Sequence, residues 1–160
     1  MSLLVVVPAF NEAQSISNVI LDIQEHIPSA DILVVDDGST DGTALVAKGC
    51  NVPVISLPFN VGVGGALRVG FLYATRNSYT QVLQIDADGQ HKSSEAKSLL
   101  SSADGFEIVI GSRFAEADSN YSASVLRRIA MRWLAMLISR ICKTRLTDVT
   151  SGFRLTGGAA

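Results

Sequence analysis

Short apolar runs alternate with stretches of helical spacing along this chain, and each run ends in a polar or acidic cluster. That alternation leaves few folds open. Residues 3–7 form a continuous, valine-rich run of the kind found in strands buried on both faces, and Pro8 is expected to end it. Apolar residues then fall at Ile16, Val19, Ile20, Ile23 and Ile27, which share one face of a helix. Residues 32–35 read as a second strand, stopping at Asp36-Asp37-Gly38-Ser39-Thr40-Asp41-Gly42. A short helix to Lys48 follows, with Gly49 as its expected stop. Residues 52–57 are a third strand, 62–77 a glycine-opened helix and 81–85 a fourth strand. Ser93 or Ser94 is expected to cap a helix through Leu99, Leu100 and Ala103, before a fifth strand at 107–110 closed by Gly111-Ser112-Arg113.

Strands of about five residues alternating with helices of about ten to fifteen predict an α/β fold, a mainly parallel sheet with helices on both faces. Ligands of such sheets bind outside the carboxyl ends of the strands. The polar clusters obey that rule, since residues 8–12, 36–41, 60–65, 86–90 and 112–113 each follow a predicted strand. The fourth cluster carries Asp86 and Asp88 on either side of the small Ala87. Carboxylates at a strand end suit a hard divalent cation, and such a cation commonly carries a phosphorylated substrate. Alone, Asp-Ala-Asp is a weak signal that reads first as a strand-end turn, because Asp88-Gly89 is an ordinary turn pair. Its position among five convergent strand ends favours the metal reading.

At 160 residues and 48% hydrophobic content, the chain can bury one good core, so a single domain over 1–160 is expected. A net charge of -2 gives no basic excess for nucleic acid. The cations are nevertheless clustered: Arg127, Arg128, Arg132, Arg140, Lys143 and Arg145 lie close together. Four of those arginines interrupt the long apolar region 125–142, which therefore does not read as a membrane span. Cys50 and Cys142 have neither metal-ligand spacing nor a disulfide framework, and no signal-peptide pattern opens the chain, so a reducing, cytoplasmic setting is expected.

Several familiar sites are excluded. Asp37, Ser39, Asp41 and Gly42 imitate the start of an EF-hand loop, but Lys48 stands where its bidentate Glu belongs. Gly62-Val63-Gly64 begins like a dinucleotide fingerprint, but its third glycine position is Leu67, and no phosphate-loop Gly-Lys-Ser/Thr occurs. His26 ends an amphipathic helix, and His91 lies beside the acidic cluster, with no Ser-His-Asp or Cys-His arrangement for nucleophilic hydrolysis.

The segments VVVPAFNEA, VVDDGSTDGT, FNVGVGGALRVGF, VLQIDADGQH, VIGSRF and DVTSGFR, in this order, resemble an inverting family-2 glycosyltransferase of GT-A fold. Within that family the resemblance is to the polyprenyl-phosphate group, whose best-known members are the dolichol-phosphate mannose synthases. It runs from Leu3 to about Leu155. It implies transfer of a sugar from a nucleotide-diphospho-sugar to a polyprenyl (dolichyl or undecaprenyl) phosphate. Pro8, Ala9, Phe10 and Glu12 match the loop holding base and ribose, with Phe10 where many relatives have Tyr. Asp36 and Asp37 match the acidic pair that contacts base or ribose. Asp86, Ala87 and Asp88 match the DxD motif, and Gln90 a further metal ligand, for Mg²⁺ or Mn²⁺. Arg113 matches an arginine facing the phosphates, a role suited to its planar donors.

At ~100° per residue, Arg128, Arg132, Ser139, Arg140 and Lys143 fall within an arc of ~120° of a helix over 125–143. Arg127 projects instead from the apolar side, and it matches the family arginine that meets the acceptor phosphate. The helix reads either as a core-packing amphipathic element or as one lying on an anionic membrane surface, which would place the protein peripherally at the inner face. An acceptor phosphate is already ionised at neutral pH, so no strong general base is required. Two alternatives stay open: a sugar or protein hydroxyl acceptor with Asp148 as base, and a non-catalytic nucleotide-binding module. The latter is motivated by the expectation that the chain is incomplete after Gly157-Gly158-Ala159-Ala160, where relatives continue.

Overall fold

A computed structural model describes residues 2–90, 93–101, 108–111, 140 and 153–157. The elements are β1 (Leu3–Ala9), α1 (Ile16–His26), β2 (Asp31–Asp36), α2 (Thr43–Gly49), β3 (Val54–Ser56) and α3 (Val63–Arg76). After these come β4 (Gln81–Gln84), a 3₁₀ turn (Ser93–Glu95), α4 (Ala96–Ser101), β5 (Ile108–Ile110) and β6 (Arg154–Gly157). They build one six-stranded sheet in the order β3-β2-β1-β4-β6-β5.

β1 lies between β2 and β4 and pairs in parallel with both. It is buried throughout, as its unbroken apolar run requires. Alternate residues serve opposite faces. Val5 and Val7 join Ile32, Val34, Leu83 and Ile85 under α1, α2 and α4, with Ile16, Val19, Ile20 and Ile23 of α1 filling that side. Leu4 and Val6 join Leu33, Val35 and Val82 beneath α3 through Ala66 and Ala74. Gly70 lets α3 lie close on the sheet, since a Cβ there would stand 2.5 Å from Val6 Cγ1.

Pro8 does not end β1, contrary to the sequence reading. It ends the pairing on one side only. The Val6 carbonyl accepts from Ile85 N–H, whereas the Ala9 carbonyl accepts from Asp37 N–H. Alternate residues of a strand turn their backbone groups to alternate neighbours. The N–H that Pro8 lacks therefore belongs to the β4 side, where the ladder stops, while pairing to β2 continues to Ala9↔Asp36. This half-stop frees residues 86–90 to leave the sheet.

Two other local expectations change. Helix α2 includes Gly49, and the left-handed residue after it is Asn51 at φ 59; asparagine adopts that region more readily than other side chains. The Ser93 hydroxyl makes no hydrogen bond among the described residues, so it is no cap. The backbone N–H of Ser93 instead donates to Asp22 Oδ2 of α1 at 2.9 Å. The strand order adds a feature that no local pattern states, since β5 does not lie beside β4. The strand β6, which the sequence reading treated only as a motif, inserts between them antiparallel to each. Strands β1 to β5 consequently share one direction and one carboxyl edge.

Candidate active site

The carboxyl edge is a set of loops tied to one another. Asn11, at φ 56, turns the chain after β1. Its N–H donates to Ser39 Oγ at 2.9 Å, and its Oδ1 accepts from Thr40 N–H at 2.9 Å. Glu12 N–H donates to Thr43 Oγ1 at 2.8 Å, and Ala13 N–H to Asp41 Oδ2 at 3.2 Å. Asp41 also accepts from the Thr43 hydroxyl. That hydroxyl is the main reason its carboxyl lies below the ordinary carboxylate range, ahead of the backbone N–H groups of Thr43 and Ala13. The DGSTDGT segment, which imitates a calcium loop, thus spends its oxygens on fastening the β1–α1 turn. Glu12 Oε2 accepts from Ser15 Oγ at 2.5 Å, at the entrance to α1.

Asp36 and Asp37 close β2 and are both buried. Asp36 Oδ1 accepts from Ser39 N–H at 3.1 Å, shaping its own loop. Asp37 Oδ1 accepts from Val61 N–H at 2.8 Å, which fastens the loop ahead of α3. Gly38 completes that seam. It has φ +70, and a Cβ on it would meet the Phe59 carbonyl carbon at 2.5 Å and Asn60 N at 2.7 Å.

The fourth loop continues from β4. Ile85 and Ala87 point into the core, so Asp86 turns to the other face and is half-buried, while Asp88, Gly89 and Gln90 are exposed. Gln90 N–H donates to Asp88 Oδ1 at 3.0 Å, forming a tight turn around that carboxylate. Gln84 Nε2 donates to Asp86 Oδ1 at 3.2 Å. Among the described residues no three His, Cys, Asp or Glu side chains gather as a metal cage. Asp86, Asp88 and the Gln90 amide are oxygen donors on one turn, fitting a Mg²⁺ or Mn²⁺ ion completed by substrate phosphates rather than a dedicated protein site.

Most of the expected site residues therefore lie at this edge: Pro8 and Ala9 at the end of β1 with Phe10 and Glu12 just beyond it, Asp36 and Asp37 where β2 ends, and Asp86 to Gln90 after β4. Phe10 is exposed there. Arg113, Arg127, His91, Asp148 and the helix over 125–143 lie outside the described residues, apart from Arg140, which is helical and exposed. Two residues at this edge lie in motifs quoted from the sequence but were given no role of their own there. One is Gln84, whose only signal was a polar residue inside an apolar run. The other is Arg154, which opens β6 directly opposite both Gln84 and Ile110. Among the described residues, no helix is long and apolar enough to cross a membrane.

The sequence model of glycosyl transferase family 2 matches residues 4–156. The chain belongs to glycosyltransferase family 2. Its sheet is that of the GT-A fold, with β6 supplying the antiparallel strand. An undecaprenyl-phosphate mannosyltransferase from Micrococcus luteus is 31% identical, matched over 96% of this chain and 65% of its own length. A polyprenol monophosphomannose synthase from Mycolicibacterium smegmatis is also 31% identical, over 94% of this chain and 60% of its own. The chain thus spans 60–65% of the length of these curated relatives. Glucosyl-3-phosphoglycerate synthase from Mycobacterium tuberculosis, solved with uridine diphosphate, superposes with a TM-score of 0.70 at 25% identity. That match covers 98% of this chain and 56% of the other.

Proposed function

We propose that this family-2 glycosyltransferase moves a sugar from a nucleoside-diphospho-sugar to a polyprenyl phosphate, with inversion at the anomeric carbon. The observation that carries the reading is the pair of carboxylates, Asp86 and Asp88, delivered beyond a central parallel strand into a rim of pre-tied loops. The names of the two mannosyl-transferring relatives support the lipid-phosphate acceptor. In this reading an oxygen of the acceptor phosphate forms the new bond to the anomeric carbon, while the bond from that carbon to the β-phosphate oxygen breaks. The electron pair leaves with the nucleoside diphosphate.

Asp86, Asp88 and Gln90 would hold a Mg²⁺ or Mn²⁺ ion, whose charge neutralises the diphosphate as it departs. Pro8, Ala9, Phe10 and Glu12 form the wall for base and ribose. Asp36 and Asp37 each have one oxygen engaged by a backbone N–H, which leaves the second to accept from ribose or base. Arg113 faces the donor phosphates and Arg127 the acceptor phosphate, aligning an anion that needs no general base. Residues 125–143 would meet the inner face of a membrane, where the acceptor resides. The whole of residues 1–160 acts as one domain of a cytoplasmic, peripheral enzyme.

The test is transfer from a panel of radiolabelled nucleotide sugars to undecaprenyl phosphate with Mn²⁺, followed by organic extraction. Label in the organic phase that disappears in Asp88→Ala is the expected result. Unchanged transfer in that variant would overturn the assignment. A hydroxyl acceptor is the second reading, favoured by the structural likeness to a phosphoglycerate glucosyltransferase; it predicts label in the aqueous phase.

A further inference from the structure

Gln84 is an amide where the packing asks for a hydrocarbon. It sits in the central strand β4 at 6% exposure, and its alternate-residue neighbour Val82 belongs to the apolar cluster of Leu4, Val6, Leu33 and Val35. Burying an amide costs free energy unless its hydrogen bonds are made, so a glutamine here needs a partner. The partner is Asp86 Oδ1, reached by Nε2 at 3.2 Å. A carboxylate only accepts, so the nitrogen of the amide must face it. The two residues are two apart on one strand path and share a face, which is why a side chain of this length reaches.

From this geometry we infer that Gln84 is a positioning residue for Asp86: it holds one carboxylate oxygen toward the sheet and so presents the other, Oδ2, to the open edge. The inference rests on the reading of Asp86 as a metal ligand and adds to it a buried amide behind that ligand. The β1–β4 ladder ends at the bond from Ile85 N–H to the Val6 carbonyl, and Pro8 has no N–H to return to the Ile85 carbonyl, so the chain leaves the sheet at Asp86 and the bond from Gln84 holds that side chain there. Partners behind a metal ligand fix its orientation, and their loss commonly weakens metal binding about 10- to 100-fold.

The experiment uses the full chain and three variants, Gln84→Leu, Gln84→Met and Asp86→Asn. Two measurements are made: Mn²⁺ binding by electron paramagnetic resonance in the presence of uridine or guanosine diphosphate, and metal-free crystal structures. Expected for Gln84→Leu is Mn²⁺ affinity lowered at least tenfold, a melting temperature in EDTA no lower than the parent's, and Asp86 in a changed rotamer. Gln84→Met gives the same pattern with a flexible side chain should leucine disturb the strand. Parent-like affinity with an unmoved Asp86 in both variants overturns the positioning role and leaves the metal reading standing. Failure of the parent itself to bind Mn²⁺, with Asp86→Asn indistinguishable from it, overturns the metal reading and the inference with it.

Discussion

Asp37 Oδ1 accepts the Val61 N–H at 2.8 Å, so the acid that closes β2 is also the clasp of the loop leading into α3. A structural and a binding duty on one carboxylate can be separated by substitution. Asp37→Asn keeps an oxygen for Val61 and should change stability by less than about 1 kcal/mol, while lowering affinity for nucleoside diphosphates. Asp37→Ala orphans a buried N–H and should cost about 1–3 kcal/mol as well as binding. Thermal unfolding and calorimetry with uridine and guanosine diphosphates distinguish the two. Equal stability of both variants would remove the clasp.

Gly38 should be the least replaceable glycine of the edge. Its φ of +70 and the 2.5 Å approach to the Phe59 backbone leave no room for a methyl group. Gly38→Ala should destabilise by about 2–4 kcal/mol, the sum of left-handed strain and backbone displacement. Chemical denaturation measures it, and a loss under about 0.5 kcal/mol would contradict the geometry.

Gly49 is the opposite case. It is the last residue of α2, with no positive φ, and a Cβ there meets nothing within 4 Å. Gly49→Ala should therefore raise stability by about 0.4–1 kcal/mol. A destabilised variant would restore Gly49 as a helix stop.

Tyr79 reports on the opposite end of the sheet. Burial first, and then its hydrogen bond to Asp31 Oδ2 at 2.9 Å, push its pKa up to about 12. The folded value exceeds the ordinary 10.0, so the phenol's contribution is complete below about pH 10 and is lost as pH rises through about 12. Tyr79→Phe should cost less than about 1 kcal/mol at neutral pH, because the pair is partly exposed, and nothing above pH 12. Alkaline difference absorbance at 295 nm should show one tyrosine of the parent titrating late.

The fold class and the edge were legible in the sequence for a simple reason. Both depend on local patterns: valine-rich runs mark buried parallel strands, and polar clusters directly follow them. Asp86 and Asp88 stood out as acids at the end of such a run. What stayed hidden depends on pairing. Nothing in residues 154–157 states that they insert between β4 and β5, because register is settled by partners distant in sequence. Pro8 was read as a stop because a one-dimensional string does not say which neighbour a missing N–H faces. Gln84 was passed over for the same reason: its meaning lies in the acid beside it on the strand's face, and periodicity alone marks it only as an interruption. Asp36 and Asp37 were read as ligand contacts, and their backbone clasps appear only when the loops are seen together.

The insertion of β6 has a consequence for how the chain is made. During synthesis β5 emerges well before Arg154–Gly157, the strand with which it pairs among the described residues. Until that late strand arrives, the outer flank of β4 is a row of unpaired backbone groups, the kind of template on which nascent chains stick to one another. Vectorial growth on the ribosome can complete the β3-β2-β1-β4 half early. The strand that opens with Arg154 then acts as the zip that admits β5, so early termination before it should yield aggregates rather than a smaller enzyme.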